Sequence, residues 1–148
     1  MLNIGDRMPD FEVVDQDGNK VSSKDLAGKR TIIYFYPKDN TSGCTAEACN
    51  LRDNYAALVA RGYNVIGVSK DSAASHRKFA DKYELPFTLL SDTSTQMLQA
   101  FGAWGEKKMY GKTVMGTIRR TFIFDESGIL ERIIEKVDTK NHASQILQ

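Results

Sequence analysis

Cys44 and Cys49 are the residues of this chain best suited to covalent chemistry, and they are its only cysteines. In a reducing compartment, a close thiol pair in a cysteine-poor chain serves catalysis or metal binding more readily than it serves as a structural staple. The metal reading lacks ligands. The two histidines, His76 and His142, are distant in sequence and show no ligand spacing, so a four-coordinate zinc site would have to recruit carboxylates without any pattern. No metal is expected, and His76 is expected on the outer surface of a helix.

The approach to Cys44 is polar and tight. Asp39, Asn40, Thr41, Ser42 and Gly43 precede it, Thr41 placing a hydroxyl three residues before the sulfur and Gly43 allowing backbone to come close to a ligand. Cys44 also falls where a loop becomes a helix. The first amides of a helix lack internal acceptors and carry the positive end of its dipole, and both effects favour thiolate over thiol. An unperturbed thiol of pKa ~8.5 is only about 3% ionised at pH 7, and lowering that pKa to roughly 6 needs some 3–4 kcal/mol. A helix end supplies ~0.3–1 kcal/mol, up to ~2 when partly buried. A nearby cation is therefore required, and an arginine from elsewhere in the fold must supply it. The bland alternative, a small buried cysteine with no reactivity, fits this polar approach less well.

The elements that would hold this loop follow from the apolar pattern. Phe11-Val14 and Lys20-Ser22 flank an Asp-Gly turn and predict an N-terminal hairpin. Thr31-Tyr36 is apolar without alternation, as in a central strand covered on both faces, and Pro37 ends it. Ala48, Leu51, Tyr55, Leu58 and Val59 recur at helical spacing up to Gly62. Val65-Ser69 and Phe87-Leu90 read as strands, and 72–84, capped by Ser72, as a helix with Phe79 and Tyr83 on one face. A short helix over Thr93-Phe101, an irregular stretch over 102–117, a second hairpin (Arg120-Asp125 with Ile129-Val137) and a terminal helix complete the reading. Trp104, Met109 and Tyr110 in the irregular stretch would border a pocket or, as the simpler reading, cover the core. The alternation predicts an α/β fold with a mixed sheet flanked by helices, in one domain over 1–148. In such open sheets, sites lie beyond the carboxyl ends of the strands, where the loop after Tyr36 runs.

Composition removes other classes. Leu, Ile, Val and Phe number 35 of 148 residues, enough for a core. Twenty basic against nineteen acidic residues leave a net charge of +1, which gives no reason to expect nucleic acid or an anionic membrane as partner. There is no apolar run of membrane-spanning length, and the start MLNIGDRMPDF does not read as a signal peptide, so a cytoplasmic location is expected. The stretch Gly105–Thr113 has five residues between its glycines where a phosphate loop has four, and no dinucleotide or hydrolase-elbow motif is present.

Pro37-x-x-x-Thr41-x-x-Cys44 resembles the active-site signature of the peroxiredoxins, and Phe35 to Cys49 resembles the bacterioferritin-comigratory, or peroxiredoxin Q, subgroup. The likeness runs from Gly5-Asp6-x-x-Pro9-Asp10-Phe11 to Arg119-Arg120-Thr121-Phe122-Ile123-Phe124-Asp125, with Ser42 where the subgroup commonly has proline. The resemblance implies a thioredoxin-like fold and a thiol peroxidase for hydrogen peroxide and organic hydroperoxides, needing no cofactor and recycled by thioredoxin or a similar dithiol protein. It implies Cys44 as the peroxidatic cysteine, Thr41 as the group that orients peroxide, Pro37 as a shield against water and Arg119 as the missing cation. Arg120 competes for that last role, but neighbours on a strand face opposite ways, so only one can reach Cys44. Glu47 matches an acidic position that would support an arginine; a first-turn carboxylate favouring the helix dipole explains it nearly as well.

Cys49 resembles the subgroup's resolving cysteine, which would close a disulfide with Cys44; the alternative is that it only packs beneath the helix. If 44–49 are all helical, the two Cα atoms lie about 8.6 Å apart, beyond the roughly 4.4–6.8 Å a disulfide spans. The helix must then unwind in every cycle, and a loop that has to open fits a monomer. Two other activities fit a reactive thiol: a protein thiol–disulfide oxidoreductase, which the absence of C-x-x-C disfavours, and a redox sensor without turnover.

Overall fold

The structure is a computed structural model and describes residues 2–148. The N-terminal hairpin pairs β1 (Glu12–Asp15) with β2 (Lys20–Ser22). Asp15 closes it, accepting the Gly18 amide on its carbonyl and the Asp17 and Asn19 amides on its carboxylate. One 3-10 turn over Ser23–Leu26 leads into β3 (Arg30–Phe35), and α1 (Ser42–Asp53), α2 (Tyr55–Ala60), β4 (Tyr63–Ser69), α3 (Ala73–Tyr83), β5 (Thr88–Ser91) and α4 (Gln96–Phe101) follow. A separate hairpin of β6 (Trp104–Met109) and β7 (Lys112–Thr117) precedes β8 (Arg120–Phe124), β9 (Leu130–Ile134) and α5 (His142–Leu147).

Seven strands form one mixed sheet in the order β2-β1-β5-β4-β3-β8-β9. The centre, β5-β4-β3, is parallel, and β1 and β8 join it antiparallel. β3 has neighbours on both sides, and its side chains feed two cores. Ile32 and Tyr34 point into a cluster with α1, α2, α3 and α5, whereas Ile33 and Phe35 point into a cluster with α4 and Phe122 and Phe124 of β8. This is why the strand lacks alternation: neither face meets water. Gly67 on β4 is required by the first cluster, since a Cβ there would lie 2.8 Å from the Tyr34 ring and 2.9 Å from Leu89.

Three expectations need correction. Residues 102–117 are a hairpin rather than irregular, turning at Tyr110 and Gly111, both with positive φ. Its strands are largely exposed and rich in lysine and glycine, so they carry no apolar alternation to read. Tyr110 is 98% exposed and Met109 is exposed, so neither covers the core nor lines a pocket with Trp104, which alone packs on the second cluster. The helical run after the loop is two helices, because Asn54 leaves helical geometry and its side chain takes the Asn50 carbonyl at 2.8 Å. Of the apolar residues at that spacing, Val59 is exposed on α2.

Candidate active site

Thr41 is the N-cap residue of α1, its carbonyl accepting the Thr45 amide at 2.8 Å. Its side chain makes no capping bond and instead donates to the Lys38 carbonyl at 2.8 Å. The first amides of α1 are thus left to meet a ligand. The Thr41 oxygen, its hydrogen already committed, presents lone pairs to a donor. Cys44 is the third residue of α1, buried in the core cluster that also holds Tyr34, Tyr36 and Ala48. Pro37, half-buried, opens the loop directly after the last core residue, Tyr36.

The cation arrives from the far end of the chain. Arg119 sits between β7 and β8; its Nη2 donates to Cys44 Sγ at 3.3 Å and its Nη1 to Glu47 Oε1 at 2.6 Å. Gly43 makes room, because a Cβ there would come 3.3 Å from Nη2. Arg120 turns the other way, to the Gly102 carbonyl at 2.5 Å and to Glu135 at 3.6 Å. Opposite facing of adjacent residues therefore leaves Arg119 alone at the sulfur.

Glu47, one turn beyond Cys44, is fully buried. Burial pushes its carboxyl up to about 7 against the opposing pull of the Arg119 guanidinium. Glu47 Oε2 has no hydrogen-bond partner among the described residues and lies 3.6 Å from His142 Nε2. His142 Nδ1 faces Gln145 Oε1 at 2.8 Å, an oxygen that also accepts the Asp138 amide, so Nδ1 is the donor. Its Nε2 meets the Thr121 hydroxyl at 2.8 Å. Burial, with Arg119 nearby, holds this imidazole below its ordinary pKa and so favours its neutral form beside Glu47. Tyr34 Oη is likewise buried without a partner among the described residues, and burial, with Glu47 and Cys44 close, drives its pKa well above the usual phenol value.

Cys49 is half-buried on the same unbroken helix, and both thiols are free. Helix geometry sets their Cα atoms about 8.6 Å apart, out of disulfide range. Sequence reasoning missed His142, which approaches Glu47 from α5, and Thr121 of β8, which bonds that histidine. Only the placement of His142 four residues before Ile146, on the buried face of the last helix, hinted at the first. It also misplaced His76, which is completely buried and bonded to Asp39 at 2.7 Å.

The AhpC/TSA family profile matches residues 4–133. Peroxiredoxin Bcp of Escherichia coli K12 is 44% identical over 146 residues, covering 99% of this chain and 94% of that one. Peroxiredoxin Bcp of Bacillus subtilis 168 is 42% identical over 147 residues, with the same coverage. Among solved structures, the Xanthomonas campestris bacterioferritin comigratory protein, described for its alkyl peroxide reduction activity, superposes with a TM-score of 0.87 at 34% identity over 93% of this chain and 87% of its own. A cysteine-to-serine mutant of Xylella fastidiosa PrxQ gives 0.92 at 29% identity over 99% and 94%. The sheet with its flanking helices is thus the thioredoxin-like arrangement of these proteins. Matched by the family profile over most of its length and by these relatives nearly end to end, the chain belongs to the AhpC/TSA family, in its bacterioferritin-comigratory and peroxiredoxin Q branch, and shares that branch's thiol peroxidase role.

Proposed function

We propose that this protein reduces hydrogen peroxide and organic hydroperoxides through Cys44, with Cys49 as the resolving thiol and thioredoxin or a similar dithiol protein as reductant. The observation that carries the reading is the Arg119 Nη2 contact with Cys44 Sγ at 3.3 Å in the first turn of α1. A cation and the first helix amides at one sulfur meet the charge that leaves on oxygen. Thr41 accepts the hydroperoxide O–H on its free lone pairs, which aims the O–O bond along the line of attack. The thiolate bonds to the hydroxyl-bearing oxygen, the O–O bond breaks, and the other oxygen departs with the electron pair and takes up a proton as water or alcohol. Arg119 and the first amides of α1 hold that developing charge. Cys44 is now a sulfenic acid. Cys49 attacks it, the S–O bond breaks with loss of water, and the resulting disulfide is returned to two thiols by the external dithiol, which is itself oxidised. Pro37 and the buried ring of Tyr36 keep bulk water from the sulfur. No cofactor takes part, and the protein works as a cytoplasmic monomer.

The test is peroxide consumption with a thioredoxin system. Cys44→Ser abolishes turnover. Cys49→Ser is oxidised once and then stalls; sustained turnover in that variant contradicts its assigned role.

A further inference from the structure

The loop that delivers Thr41 and Cys44 is tied down at Asp39. The Asp39 carboxylate takes three side-chain partners: Tyr36 Oη at 2.6 Å on Oδ1, and Ser75 Oγ and His76 Nδ1, each at 2.7 Å, on Oδ2. Its amide donates to Asp71 Oδ2 at 2.9 Å. That oxygen also accepts from Ser69 Oγ at 2.7 Å, and Ser91 donates to the Asp71 carbonyl. His76 is fully buried, and its Nε2 faces the Leu90 carbonyl at 3.0 Å. Both ring nitrogens thus face oxygen acceptors. Burial alone would push the Asp39 carboxyl up; the bonds from His76, Tyr36 and Ser75 outweigh it and hold the group below its ordinary range.

Asp39, Asp71 and His76 bring ligand atoms within 4.8 Å of one another, as a cation site would. Those atoms are already engaged with protein partners, so the cluster is a hydrogen-bonded clamp. It gathers Tyr36 from the end of β3 and Ser75 and His76 of α3 onto Asp39, and ties Ser69 from the end of β4 and Ser91 from the end of β5 to it through Asp71. Directly beyond it, Asn40 has a φ of 59°, a left-handed conformation that asparagine tolerates, and then Thr41 starts α1. The backbone is anchored through Asp39 and turns sharply at Asn40, whose side-chain Oδ1 accepts from Tyr83 Oη at 3.1 Å and Lys82 Nζ at 3.3 Å.

We propose that His76 is a positioning residue for the peroxide step. Through Asp39 it sets where Thr41 and the first amides of α1 stand, and it leaves Asn40 as the pivot about which the start of α1 swings when Cys44 departs toward Cys49. The proposal rests on the peroxidase reading of Cys44. Its signature is opposite behaviour of two steps: oxidation of Cys44 needs the loop closed, whereas disulfide formation needs it open.

The experiment follows both steps in the full chain after mixing reduced protein with hydrogen peroxide, by rapid quench with a thiol-alkylating reagent and mass analysis. His76→Gln keeps an amide able to reach toward Leu90 and loses the partner at Asp39. Its Cys44 oxidation slows by about tenfold to a hundredfold, the scale of a misplaced reacting group, while disulfide formation from the sulfenic acid is as fast as in the wild type or faster. His76→Asn puts an amide donor where Nδ1 stands and recovers most of the oxidation rate. A purely structural role for His76 would not split the two steps. Oxidation within threefold of wild type in His76→Gln, equal slowing of both steps, or no recovery in His76→Asn overturns the proposal. If His76→Gln does not fold by circular dichroism, Ser75→Ala removes one donor from Asp39 without emptying the buried site; the same split at a smaller amplitude is expected, and unchanged oxidation overturns the proposal. A wild-type protein that peroxide does not oxidise defeats the peroxidase reading itself, and is thereby told apart from a failure of His76 alone.

Discussion

Glu47 links the charge at the sulfur to the stability of the fold. In the native state its carboxyl is raised by burial from 4.5 to about 7, so between those values the folded protein holds a proton that the unfolded chain has released. Stability falls as pH rises through that window: the favourable contribution is complete below about 4.5 and gone above about 7. That rise from 4.5 to about 7 corresponds to roughly 3 kcal/mol. Urea unfolding across pH 4 to 8 checks this: Glu47→Gln should gain on the wild type as pH rises, by up to that amount. A parallel pair of stability curves contradicts it. The two neighbouring arginines make a second contrast. Arg119→Gln removes the donor on Cys44 Sγ and should slow Cys44 oxidation by about 10²–10³-fold. Arg120→Gln, whose bonds go to Gly102 and Glu135 rather than to Cys44, should leave that rate within about twofold of wild type, since it removes no donor from the sulfur. Stopped-flow oxidation by hydrogen peroxide reads both.

At the scale of elements, α1 has two incompatible duties. As a helix it sets Cys44 under Arg119, and as a helix it keeps Cys49 out of reach. Amide exchange over Ala46 to Arg52 should therefore be slow in the reduced protein and fast in the disulfide form; equal protection in both contradicts the need to unwind. The effect should extend to α5. Asn50 accepts the Ala143 amide at 2.8 Å and donates to the Lys140 carbonyl at 2.9 Å, acting as a cap for α5 from outside it. Loss of helical geometry around Asn50 removes that cap, so the amides of α5 should lose protection in the disulfide form together with those of α1. Asn50→Ala should lower stability by about 1 kcal/mol, as capping losses do, measured by chemical denaturation. Gly67 anchors the opposite wall. Gly67→Ala drives a methyl into Tyr34 and Leu89 and should cost about 1–3 kcal/mol as an overpacked core.

Across the whole molecule, what was legible in the sequence was what periodicity and punctuation encode. The unbroken apolar run of β3, the Asp-Gly turn, the Ser72 cap and the mixed sheet all appear as read, because each rests on local pattern or on burial of a whole strand. The need for a distant arginine followed from the shortfall of a helix end against the stabilisation of a thiolate; the facing of strand neighbours allowed only one of Arg119 and Arg120 to reach the sulfur, and the family resemblance pointed to Arg119. The β6–β7 hairpin was not legible because its solvated strands show no alternation and its turn is Tyr-Gly. His76 and His142 were not legible because their burial depends on partners, Asp39 and Glu47, more than 30 residues away. Long-range polar pairing leaves no period in a sequence.

The central claim is that one sulfur, Cys44, takes an oxygen atom from peroxide and passes the oxidation to Cys49. Intact-mass analysis after one equivalent of hydrogen peroxide tests it most directly. The account predicts a Cys44–Cys49 disulfide in the wild type, a single added oxygen on Cys44 in Cys49→Ser, and no change in Cys44→Ser. Oxygen gained at Cys49 first, or a Cys44→Ser protein that still consumes peroxide, would contradict it.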